Sequence, residues 1–117
     1  MAQVTLTEFL LAQIAKDEAV AKSATPGQWE RDSGWSVIGP PPEDNWYGPN
    51  VVADTKQRDD AEFIAHFNPA RVLAECEKNR RLIEDWGRWE SYNGDELMQV
   101  LALPYADRPG YLPEWNL

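Results

Sequence analysis

Three consecutive prolines, Pro40-Pro41-Pro42, set the strongest limit on how this chain folds. A proline nitrogen donates no hydrogen bond and its ring fixes φ, so no β ladder runs through the triplet. Any sheet must be interrupted there. On the N-terminal side, Gln28-Trp29-Glu30-Arg31 and Trp35-Ser36-Val37-Ile38 read as two short strands around a turn at Asp32-Ser33-Gly34. On the C-terminal side, Asn50-Val51-Val52-Ala53-Asp54 is the best remaining strand. The pattern predicts a small antiparallel sheet whose strands are separated by a long proline-containing loop bearing Trp46 and Tyr47.

Helical patterns flank this β region. Leu6, Phe9, Leu10, Ile14 and Ala21 recur at spacings of three, four and seven, the apolar face of a helix from about Leu6 to Lys22. Thr5 and Glu8 form a capping-box pair at its start, and Pro26-Gly27 lies beyond its end. Asp59-Asp60-Ala61-Glu62 opens a second helix, with Asp59 as its cap and acids at the positive end of the dipole. Asn68-Pro69 restarts the chain as N-cap and first helical residue. The helix from Pro69 to about Ser91 is the longest, and its seam is Val72, Cys76, Asn79, Ile83 and Trp86. That seam pairs either with the N-terminal helix or, in a homodimer, with the Val72–Trp86 helix of a second copy. Asp95 caps a final short helix stopped by Pro104, and the tail from Tyr105 to Leu117 reads as an extended strap. The expected fold class is α+β, a helix-rich single domain over residues 1–117.

Composition narrows the function. Twenty Asp and Glu against eleven Lys and Arg give a formal charge of −9, a field that repels phosphates and argues against a nucleic-acid partner. Unbroken apolar stretches such as Phe9 to Ala12 fall far short of the ~20 residues of a membrane span. The N-terminus lacks the basic region and apolar run of a signal peptide, and a lone cysteine, Cys76, fits a reducing cytoplasm. Six tryptophans are many for this length; buried, they enlarge a small core, and exposed, they mark a binding surface. The core is the expected place for most of them.

No assembled catalytic motif is present. The glycines do not stand in a phosphate-loop order, and neither GxSxG nor HExxH occurs. His66 follows Glu62 by four residues, so both share a helical face, with Asp59 nearby. This pair is the centre of the alternative reading, a small metal-dependent hydrolase or ligand-binding enzyme. Two ligands do not complete a metal site, and a histidine near a helix C-terminus is accounted for by the dipole, so no cofactor or metal is expected. Cys76 lies on the apolar seam and reads as an inert thiol. Lys78, Arg80, Arg81 and Arg88 alternate with acids at ion-pairing spacing, as in Glu77–Arg81, and read as a solvated face. The acids Asp54, Asp59, Asp60 and Glu62, with Glu43 and Asp44, meet only Lys56 and Arg58 between positions 43 and 62. They serve solubility or, gathered with Trp46 and Tyr47, form a negative aromatic surface that a protein partner reads.

Three stretches carry a resemblance: Ala24-Thr25-Pro26-Gly27-Gln28-Trp29, then Asp60-Ala61-Glu62-Phe63-Ile64-Ala65 leading to Asn68-Pro69-Ala70-Arg71-Val72-Leu73-Ala74-Glu75, then Leu101-Ala102-Leu103-Pro104-Tyr105-Ala106-Asp107-Arg108-Pro109-Gly110-Tyr111. In this order they resemble a family of small proteins of unknown function from actinobacteria and their phages. The first two are also similar to accessory proteins of temperate phages. Where that family has a proline after Gly27, this chain has Gln28, and residues 30–58 match nothing in it. The resemblance implies a phage or mobile-element setting and no catalytic residue. The expectation is a cytoplasmic, non-enzymatic acidic interaction module that binds a host protein through Trp46, Tyr47, Asp54, Asp59, Asp60 and Glu62.

Overall fold

Helix α1 spans Leu6–Ser23 and starts as its sequence dictates, the Glu8 amide donating to Thr5 Oγ1 at 3.1 Å. The computed structural model describes residues 4–40, 50–88 and 94–117. After α1 come β1 (Glu30–Arg31), β2 (Ser36–Gly39), β3 (Asn50–Asp54), α2 (Arg58–His66), α3 (Pro69–Arg88) and α4 (Gly94–Leu101). Two 3₁₀ turns, Leu103–Tyr105 and Pro113–Trp115, complete the chain. The fold class is the expected helix-rich α+β with a small antiparallel sheet. The proline-containing loop with Trp46 and Tyr47, and the expected end of the long helix at Ser91, lie outside the described residues. The chain divides into two compact units, one of residues 18–75 and one of residues 1–17 with 76–117.

In the unit of residues 18–75, the strands pair in the order β1-β2-β3, all antiparallel. Glu30 stands opposite Ile38, Val37 opposite Ala53, and the β2–β3 register shifts between Val37 and Ile38. The β1–β2 turn is built by Asp32, whose Oδ1 accepts the amides of Gly34 (2.8 Å) and Ser36 (3.2 Å). Helix α2 lies on the sheet through small residues: Val37 and Ala61 are wholly buried, Ala65 nearly so, with Trp29, Val52, Ala53 and Ile64 packed around them. Gly27 holds φ at +96° between α1 and the sheet, and a Cβ there would stand 2.9 Å from Pro40 Cγ.

Helix starts follow local chemistry, with two of them falling two residues earlier than expected. Asn68 behaves as expected: its Oδ1 accepts the Arg71 amide at 3.0 Å, while its Nδ2 donates back to the Ala65 carbonyl at 3.0 Å. One side chain thus closes α2 and opens α3. Asp59 is not the cap of α2. Gln57 holds the cap position because its carbonyl accepts the Ala61 amide at 3.3 Å, which places Asp59 and Asp60 in the first turn. Asp95 likewise falls inside α4, since Gly94 already begins that helix.

The second unit is organised around the first turns of α1. Leu10 and Ile14 are fully buried, and Phe9, Gln13, Cys76, Ile83, Met98, Ala102 and Tyr105 nearly so. Cys76 Sγ contacts the Ile14 carbonyl at 3.9 Å, so this part of the α3 seam meets the N-terminal helix. The Trp86 side chain lies outside the described residues. The tail is not an extended strap. It turns repeatedly, and Tyr111 and Trp115 stack at 5.9 and 5.2 Å from the Phe9 ring. Arg108 fixes those turns by donating to Asp17 Oδ1 at 2.8 Å and to Gln13 Oε1 at 3.2 Å, with its guanidinium over the Tyr105 ring. Burial, reinforced by the nearby Asp17 charge, pushes the Tyr105 hydroxyl up to about 12.

The described tryptophans differ from the core role expected of them. Trp29 and Trp115 are half-buried, and Trp35 is 58% exposed at the hairpin turn. Trp29 keeps an edge position because its indole N–H reaches the Thr25 carbonyl at 3.0 Å. If the tail is integral to this unit, Phe9→Ala lowers stability by about 3–5 kcal/mol, read from the urea midpoint. Gly110 at φ +95° beside Phe9 gives a milder test, Gly110→Ala costing about 1–2 kcal/mol.

Candidate functional site

Helix α2 exposes its bulk. At ~100° per residue, Ala61 and Ala65 share one face and Phe63 and Phe67 the opposite one. The alanines face the sheet, so the phenylalanines face solvent, 66% and 49% exposed, with ring centroids 4.8 Å apart. Asp59 and Asp60 are exposed one turn before Phe63. A shallow groove of about 460 Å³ on one side of Phe63 brings together Asp54, Lys56, Asp60 and Ile64. A second, of about 260 Å³, lies among Phe63, Phe67, Glu62 and His66. At the C-terminal end of the helix, the Arg71 guanidinium covers the Phe67 ring at 4.5 Å.

Glu62 belongs to a different arrangement on the flank of α2. Its Oε1 accepts Arg31 Nε at 2.8 Å, and its Oε2 lies 3.5 Å from His66 Nε2. Arg31 also donates through Nη1 to the carbonyls of Asp32 (2.9 Å) and Gly34 (3.2 Å), so one guanidinium ties the hairpin turn to the helix. Trp29, Arg31, Glu62, His66 and Asn68 line a recess of about 360 Å³ here. The Arg31 hydrogen bond and charge hold the Glu62 carboxyl below its ordinary value of 4.5. Glu62 is therefore an anion at neutral pH, engaged by a cation and unsuited to donating a proton. Among the described residues, no group of three or more His, Cys, Asp and Glu side chains is placed to hold a metal ion.

The structure thus brings Asp54, Asp60 and Phe63 to one groove, with Asp59 on the adjoining turn, and sets Glu62 aside with Arg31 and His66. Trp46 and Tyr47 lie outside the described residues. Sequence reasoning missed Phe63, Phe67, Arg31, Arg71 and Trp35. A signal existed in the two interleaved i, i+4 pairs, Ala61/Ala65 and Phe63/Phe67. The pattern leaves open which pair faces inward, and size favours the phenylalanines. Trp35 stands at the hairpin turn, its carbonyl accepting the Thr55 amide at 3.0 Å.

Fold and face together define a small helix-rich α+β protein with an aromatic helix surface turned outward. The chain belongs to the family of unknown function DUF6221, whose model matches residues 3–117, so residues 30–58 lie within the family and not outside it as expected. No curated protein and no solved structure matches it. Among the described residues, no helix is long and apolar enough to cross a membrane.

The Arg31–Glu62 pair has a pH signature. A carboxyl whose pKa is lowered by folding stabilises the fold above its ordinary value and loses that contribution as pH falls through the folded value. In Arg31→Met, a carbon-detected NMR titration shows the Glu62 carboxyl rising toward 4.5. The stability difference between the two proteins shrinks as Glu62 becomes protonated in acid. An unmoved Glu62 titration would show that Arg31 does not set it.

Proposed function

We propose that this chain is a non-enzymatic protein-interaction module, acting as one domain, with α2 as its contact face. The observation that carries this reading is the inverted burial of α2, with alanines inside and Phe63 and Phe67 outside. Leaving a phenylalanine side chain in water forgoes about 1.5–3 kcal/mol of burial, which a partner covering it recovers. Aromatic anchors surrounded by polar residues are the usual anatomy of an interface. Asp54, Asp59 and Asp60 at the edge of the face supply charge that orients an approaching chain. Trp46 and Tyr47 join this surface on the sequence reading. The three family-like stretches support a phage or mobile-element accessory role in an actinobacterial host, and the lone Cys76 supports a cytoplasmic setting. Neither nucleic acid nor membrane is proposed as a partner.

The alternative, a metal-dependent hydrolase or ligand-binding enzyme at His66 and Glu62, has less support because Arg31 already engages the carboxylate. In the test, tagged protein is incubated with actinobacterial lysate alongside its Phe63→Ala and Asp60→Lys variants. The expected result is a specific protein retained by the parent and depleted at least about tenfold by both variants, a loss of ~1.4 kcal/mol. Identical retention by all three would sink the reading. Stoichiometric zinc or manganese lost in His66→Ala would favour the enzyme instead.

A further inference from the structure

The charges around Phe63 are not of one sign. Asp59 and Asp60 stand at the N-terminal end of α2, and Asp54 opens onto the groove that Asp60 lines. His66 and Arg71 stand at the C-terminal end, the Arg71 guanidinium 4.5 Å above Phe67 and its Nη1 directed at the His66 carbonyl. Glu62 is engaged by Arg31 at 2.8 Å and lies 3.5 Å from His66 Nε2, so Arg71 is the cation that marks that end of the face. Lys56 lines the same groove as Asp54 and Asp60 but leaves the acids there in excess. Arg58 falls ~140° round the helix from Phe63. The face is therefore acidic at one end, cationic at the other, and aromatic between.

Such a face selects its partner. A uniformly basic surface would meet Arg71 as a like charge, and a uniformly acidic one would meet Asp59 and Asp60. A surface of reversed polarity avoids both conflicts, and an antiparallel copy of α2 has that polarity. We propose that the partner of this face is a second copy of the chain, α2 packing antiparallel on α2 about a two-fold axis at Phe63. The inference rests on the interaction-module reading and names its partner. A two-fold contact is self-complementary, so whatever residue i meets on residue j is met again by j on i. With Phe63 on the axis, positions three and four before it face positions three and four after it. Asp59 and Asp60 of one copy then oppose His66, Phe67 and Arg71 of the other, twice over. Each Phe63 ring has a shallow groove on either side into which the partner's ring fits, as ridges of one helix fill grooves of another. This surface is distinct from the α3 seam, where Cys76 and Ile83 are already buried within the chain.

A helix of nine residues is short, so the dimer is weak and dependent on concentration. Sedimentation velocity of the full chain over a concentration series tests it. The parent is expected to pass from monomer to dimer, and Phe63→Ala to weaken the dimer at least about tenfold. Charge exchange is the sharper arm. Asp59→Lys with Asp60→Lys in one chain, and His66→Asp with Arg71→Asp in another, each weaken self-association, and mixing the two restores a mixed dimer. That recovery also shows that both variants fold. A strict monomer at every concentration, a dimer untouched by Phe63→Ala, or no recovery on mixing would overturn the proposal. A monomer that still captures another protein through Phe63 ends the dimer but leaves the interaction module standing.

Discussion

A helix approaches a sheet closely only where the residues between them are small, and that condition governs the unit of residues 18–75. Ala61 and Ala65 lie against Val37 with almost no exposed surface, so the α2 backbone sits low on β1 and β2. Larger side chains on that face would lift the helix by ångströms and open the packing that surrounds Val37. Once the alanines face inward, the helical period forces Phe63 and Phe67 outward. The exposed aromatic face is therefore a consequence of how the interior is filled.

Polar clamps hold both units in place. Arg31 links the hairpin turn to α2 by satisfying two turn carbonyls and Glu62 at once. Arg108 does the equivalent work for the tail, reaching Gln13 and Asp17 on α1 while covering Tyr105. In each case a planar guanidinium with several donors joins segments far apart in sequence, a task that a lysine's point charge performs less well. The aromatic set Phe9, Tyr111 and Trp115 then packs beside the Arg108 clamp.

Local signals in the sequence were legible wherever a side chain acts on its own neighbours. Thr5 with Glu8, the Asp32 turn and the Asn68-Pro69 junction all form as their chemistry dictates. The Asp59 and Asp95 caps were displaced by two residues because a helix begins at the first carbonyl that finds an amide four residues on, and neighbouring polar residues compete for that role. The tail was misread as extended because its turns depend on Arg108 meeting Asp17, a contact across most of the chain. Of the candidate site, the acids were visible as an excess of charge. The cations Arg31 and Arg71 were not, since each arrives from a different element.

By itself, the sequence determined the element order, the α+β class and the places where the chain must turn, because capping, proline geometry and hydrophobic period act over a few residues. Only the tertiary structure decided which side of α2 is hidden. Two faces at i, i+4 spacing compete there, one of alanine and one of phenylalanine, and local chemistry does not rank them. The distance allowed between helix and sheet does, and that distance exists only once Val37, Ala61 and Ala65 have come together.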